Sequence, residues 1–136
     1  QGDLSCASTL EEYLGSMHQV ARESFRVLKP GRYAAILIGD TRKKRHYVPI
    51  AFRVLEQFLN VGFVLREDVI KVQWKTRKTS GRWTGLAKTA QECWVERPKN
   101  KYWTDFYLIA HEHLFIFRKP KENENLKDYK GSMLSC

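Results

Sequence analysis

Four groups of side chains in this sequence could do chemistry. Asp40 stands after Gly39 at the close of an apolar run, Tyr33 to Ile38. A carboxylate there can bind polar groups of a ligand, or it can simply cap a turn by bonding its own backbone. Arg42, Lys43, Lys44 and Arg45 follow at once. Four successive cations can hold phosphates or form a solvated loop. Lys75, Arg77, Lys78, Arg82 and Trp83, with Lys88, Arg97, Lys99 and Lys101, mix positive charge with an indole. Cations grip phosphates and rings stack on bases, so this stretch suits nucleic acid, unless its tryptophans fold back onto a core. The fourth group is His111-Glu112-His113. Alternate residues of a strand face one way, so both imidazoles share a side, but the sequence shows no third and fourth ligand at metal-binding spacing. No metal is expected, and Cys6, beside no fixed base, is a poor nucleophile.

The charge distribution sharpens the second and third groups. The chain has 136 residues and a formal net charge of +9, from 24 Lys and Arg against 15 Asp and Glu. Residues 1–40 carry four basic and five acidic side chains, residues 41–55 five and none, and residues 71–103 nine and two. A surplus concentrated in the middle predicts phosphate contacts and salt-sensitive binding to nucleic acid, with a basic surface serving solubility as the bland alternative. The length suits one domain. Three cysteines at wide spacing, Cys6, Cys93 and Cys136, fit a reducing, cytoplasmic setting. No apolar run reaches the roughly 18 residues a membrane span needs.

The elements that must position these groups can be read in order. Residues 1–7 begin without an element of their own, as though entered partway through a larger protein. Ser8-Thr-Leu-Glu11 has capping-box spacing, and Leu10, Tyr13, Leu14, Met17, Ala21, Ser24 and Leu28 form one stripe of an amphipathic helix. Pro30 stops that helix near Lys29, and Gly31 tolerates the left-handed turn that follows. Tyr33 to Ile38 lacks period-2 alternation, which predicts a strand covered on both faces, as in a parallel sheet. Thr41 to His46 reads as a polar loop. A second helix is expected from about Tyr47, with Pro49 in its first turn and Gly62 at its end. Ile70, Val72 and Trp74 alternate with Lys71, Gln73 and Lys75, which predicts a strand with one buried face. Residues 76–104 form an irregular basic and aromatic insertion, Phe106 to Phe117 a strand inside the sheet, and 121–136 a polar mobile tail.

Several runs carry a family resemblance: Tyr13-Leu14, Arg26 to Gly31, Ile38-Gly-Asp-Thr-Arg-Lys-Lys44, Val48-Pro49, Gly62-Phe63, Ile70-Lys71 and His111-Glu-His-Leu-Phe-Ile-Phe-Arg-Lys-Pro120. In that order they resemble the C-terminal half of S-adenosylmethionine-dependent amino DNA methyltransferases, which modify adenine N6 or cytosine N4. The likeness covers roughly residues 3–120. It implies an α/β, Rossmann-like partial catalytic domain over residues 1–120, with a mostly parallel sheet, flanking helices and an antiparallel final strand. It further implies S-adenosylmethionine as cofactor, DNA as substrate, and a cleft bordered by Gly39 and Asp40. The His-Glu pair is common on this strand in the family and reads as structural hydrogen bonding. The family's Pro-Pro-Tyr tetrapeptide would sit upstream of Gln1 and is not in this chain, nor is a Gly-rich cofactor motif. That tetrapeptide binds the poorly nucleophilic exocyclic amine and stacks on the flipped base. No catalytic residue is therefore assigned, and the chain alone is expected to be inactive and to pair with its missing half or with itself. A non-catalytic nucleic-acid-binding remnant or subunit and an RNA methyltransferase half remain the alternatives. Arg32 departs from the family pattern, where a second Gly is common, so Gly31 must hold the turn alone.

Overall fold

The computed structural model describes residues 9–43, 46–72 and 109–134. Helix α1, Leu10–Val27, starts at Thr9, whose hydroxyl accepts from the Glu12 amide at 3.1 Å. The cap thus falls one residue later than the Ser8 to Glu11 box, because Thr9 takes the extended conformation that aims its oxygen at the first turn. Met17 and Ala21 are buried on its apolar stripe. The helix stops as expected: the Leu28 amide donates to Ser24 at 3.1 Å, and the Arg32 amide closes a turn onto Lys29 at 3.1 Å. Gly31 holds that turn with φ 78°, the position of a type II turn that needs glycine.

Strand β1, Tyr33–Ile38, leads into a hairpin of β2, Thr41–Lys43, and β3, His46–Val48. Helix α2, Ile50–Val61, then ends at Gly62 with φ 110°, as its glycine implies. Strands β4, Val64–Val72, and β5, His111–Arg118, follow. The polar loop expected over residues 41–46 is thus in part a β-ribbon, with Thr41 opposite Val48, Arg42 opposite Tyr47 and Lys43 opposite His46. Helix α2 accordingly begins at Ile50 rather than near Tyr47. Pro49, which has no N–H to give a ladder, sits at the junction.

The main sheet has the order β1-β5-β4, and β5 runs antiparallel to both neighbours. The final strand lies inside the sheet and antiparallel, as expected. The mostly parallel sheet does not emerge among the described residues, because β5 separates β1 from β4, the two strands that run the same way. The family-like fold is a mixed helix and sheet architecture.

The core explains a second difference. Ile38, Phe115 and Phe117 form one cluster with Met17 and Ala21 of α1 and Ala51, Val54, Phe58 and Leu59 of α2. Phe58 stacks on Phe117 at 4.7 Å, and Phe63 meets Phe25 edge-on at 4.9 Å. Both helices contribute to this one core, so β1 is not covered on both faces: Tyr33 and Leu37 are exposed while Ile36 and Ile38 turn inward. Strand β4 is similar. Ile70 and Val72, expected on a buried face, are exposed because the core reaches Phe63 and Leu65 and goes no further along the strand.

The stretch from residue 121, expected as a polar mobile tail, forms a 3-10 helix over Leu126–Ser132. Arg118 donates to Glu124 at 2.8 Å, and the Tyr129 hydroxyl donates to the same carboxylate at 2.7 Å. Those contacts, with the Arg118 guanidinium foremost, hold Glu124 down at about 2.

Candidate functional site

The end of the sheet where β1 finishes and β5 starts gathers most of the described polar side chains that the sequence singled out. Asp40 follows β1, and its half-buried carboxylate is held at both oxygens. Oδ1 accepts from the Ala51 amide at 2.7 Å, satisfying a first-turn donor of α2, and Oδ2 accepts from the Tyr47 hydroxyl. Partial burial, then the neighbouring carboxylate, pushes the Tyr47 phenol up to about 12. Tyr47 therefore stays a neutral donor across the working range of pH. The local sequence explains this arrangement: the β2-β3 hairpin folds Tyr47 back over the strand end, and α2 starts directly behind it.

His113 lies across from Ile38 on β5 and is 5% exposed. Its Nδ1 sits 3.0 and 3.1 Å from the two oxygens of Asp68 on β4. Its ring packs against Phe115 at 5.3 Å and Phe52 at 5.1 Å. His111, two residues earlier on the same face, meets His113 edge-on at 5.2 Å. One donor atom each from Asp40, His111 and His113 lies within 4.8 Å of the others. Glu112 points elsewhere, pairing with Lys71 at 2.8 Å. Of the His111-Glu112 pair, Glu112 makes the structural contact, with Lys71, whereas the bond to Asp68 is made by His113.

Gly39 and Asp40 lie at the end of β1, beside the start of β5. A Cβ at Gly39 would come within 3.3 Å of the Glu112 side chain, so glycine lets the strand end pass close to β5. Arg42 is half-buried, its guanidinium 5.5 Å from the Tyr47 ring centre, and Lys43 is exposed beside it. The other cations named above, Lys44, Arg45, Lys75, Arg77, Lys78 and Arg82, lie outside the described residues, as does Trp83. Sequence reasoning missed Tyr47 and Asp68. Asp68 closes a charged run, Arg66-Glu67-Asp68, so no local pattern set it apart.

S-adenosylmethionine needs backbone close to its carboxylate and acceptors for its hydroxyls, and the described residues do not make a complete site of that kind. The described glycines with positive φ, Gly31 and Gly62, precede β1 and β4, at the opposite end of the sheet from Asp40. Among the described residues, no helix is long and apolar enough to cross a membrane.

Comparison with known proteins bears on this geometry. The sequence model of a family described as DNA methylase matches residues 2–133. Among solved structures, a candidate DNA modification methylase of Thermus thermophilus, as its selenomethionine derivative, superposes with a TM-score of 0.53 at 20% identity. The alignment covers 92% of this chain and 45% of that one. The same protein complexed with S-adenosyl-L-methionine gives a TM-score of 0.57 at 19% identity, over 85% of this chain and 40% of that one. At such identity the likeness speaks for the fold. This chain spans less than half the length of that structure. No curated protein matches it. By the extent of the family match, nearly the whole sequence, the chain belongs to the DNA methylase family.

Proposed function

We propose that this chain forms the β1-β5-β4 side of a DNA methyltransferase that moves a methyl group from S-adenosylmethionine to the exocyclic amine of adenine or cytosine. The observation that carries the reading is the family match over residues 2–133, and the antiparallel strand inside the sheet agrees with it. The chain holds no Pro-Pro-Tyr tetrapeptide and no Gly-rich cofactor motif, so base and cofactor are held chiefly by a partner segment that supplies both. In this chain's share of the work, Asp40 and Gly39 border the target cleft, while Arg42 and Lys43, with Lys44 and Arg45 beyond them, meet DNA phosphates at its rim. The basic and aromatic stretch from Lys75 to Trp83 adds further DNA contact. Strand β1 pairs on one side with β5, and its other edge, unpaired among the described residues, suits continuation of the sheet into that partner segment or into a second copy. A reducing cytoplasm suits the cysteine usage. The missing motifs also favour one other reading, a non-catalytic nucleic-acid-binding subunit.

Methyl transfer separates these readings, and the salt dependence of binding tests the DNA contact that both require. Label from tritiated S-adenosylmethionine should pass to duplex DNA, as N6-methyladenine or N4-methylcytosine, only when the chain is joined to a segment carrying the tetrapeptide. Transfer by neither form would leave the subunit reading. Replacing Arg42, Lys43, Lys44 and Arg45 together with Ala should flatten the dependence of DNA affinity on salt by a few units of slope, at about 0.9 per phosphate lost. An unchanged slope would reduce this segment to a solvated surface.

A further inference from the structure

We infer that Asp40, His111 and His113 form a binding site for a divalent transition metal of the zinc class. The two imidazoles alone make a weak case, because alternation on a strand is common and no further ligand stands at a useful spacing in the sequence. The fold supplies the third donor: the end of β1 delivers Asp40 to the start of β5, and one ligand atom from each residue lies within 4.8 Å of the other two. Two imidazoles and one carboxylate are a donor set that zinc accepts, with three protein ligands and an open position.

What surrounds these three residues points the same way. A metal-bound histidine commonly gives its other ring N–H to a carboxylate, which fixes the tautomer and strengthens the ligand. His113 has that partner: Nδ1 is 3.0 Å from Asp68, so its proton belongs there and Nε2 is the nitrogen left with a lone pair. Ligating carboxylates are in turn hydrogen-bonded. Asp40 accepts from Tyr47 and from the Ala51 amide, and a carboxylate with about four lone-pair positions keeps room for a metal after two such bonds. The buried Phe115 packs against His113 and restricts water on that side. Asp40 and His111 are half-buried and His113 is buried, so the donors are partly shielded yet open to an entering ion. The three residues bind the ion, their partners orient them, and Phe115 closes the back.

The inference is independent of methyl transfer, and its test uses binding alone. The whole chain with Cys6, Cys93 and Cys136 changed to Ser, which removes competing thiolates, is titrated with zinc chloride by calorimetry and with cobalt chloride by visible absorbance. One equivalent should bind, and thermal unfolding should shift upward with zinc. His111→Ala and Asp40→Asn should each abolish the shift and weaken binding by tenfold or more. Asp68→Asn, which leaves all three ligands in place, should weaken it by about 10- to 100-fold. His18→Ala and His46→Ala, placed outside the cluster, should change nothing. Absence of saturable binding to the folded protein, or binding that survives His111→Ala with unfolding unaffected, would overturn the assignment and leave the cluster as a hydrogen-bonded network. His111→Gln serves as the second variant should the alanine form fail to fold.

Discussion

The two ends of strand β5 are equally polar and are put to different use. At its C-terminal end, Arg118 and Lys119 are each tied to a structural group. Arg118 is bound to Glu124 and lies near Tyr129, and the Lys119 ammonium donates to the carbonyls of Phe25 and Leu28 at 2.6 and 2.8 Å. Those carbonyls belong to the last turn of α1, where a helix leaves acceptors unsatisfied and favours positive charge. At the N-terminal end, His111, His113 and Asp40 instead bring donor atoms together from separate strands, with the bonds to Asp68 and Tyr47 serving to aim them. Donors matched to acceptors make a joint. Lone pairs gathered around a common point make a site.

The largest effect that would sharpen this contrast comes from the joint end. Phe117 is fully buried and stacked on Phe58. Phe117→Ala should cost about 3–5 kcal/mol in denaturant unfolding, whereas His111→Ala at the other end should cost less than about 1 kcal/mol. Comparable losses would erase the distinction. Lys119→Met should come next. It removes the donor from two helix-end carbonyls and the cation 4.6 Å from the Phe25 ring centre, and should cost about 1–3 kcal/mol. It should leave zinc binding unchanged. The smallest effect is a pH dependence. Glu124 is held at about 2, below its ordinary 4.5, so its contribution is complete above pH 4.5 and is lost as pH falls toward 2. The difference in melting temperature between wild type and Glu124→Gln should therefore shrink over that window. A difference that persists at pH 2 would mean that packing of the 3-10 helix, and not the carboxylate, secures this end.

Much of the frame was legible in the sequence because it is written in local signals. Pro30 and Gly31 mark the end of α1, Gly62 the end of α2, and the apolar faces of β5 its place inside the sheet. The hairpin of β2 and β3 was not legible. Its six polar or mixed residues carry no alternation, and a bond from Tyr47 to Asp40 across seven positions helps to hold the ribbon down. The faces of β1 misled for a related reason: an unbroken apolar run says that a strand can be covered twice, and only the placement of both helices in one core says that it is covered once here. At the site, Asp40 was visible as a strand-end carboxylate. Its meeting with His111, and the pairing of His113 with Asp68 across 45 positions, depend on strand order, which no local pattern encodes.

The middle strand of the three is also the last of them to be synthesised. Until His111–Arg118 has emerged from the ribosome, β1 and β4 have no neighbour with which to form the ladders seen here, although the residues of both helices precede it in the chain. Completion of the sheet therefore waits on an insertion event that joins distant parts of the chain, which is an intrinsically slow kind of step and one that leaves two strand edges open to wrong partners in the meantime. A nascent chain halted at residue 110 should be a target for chaperones, and release of eight more residues should end that need.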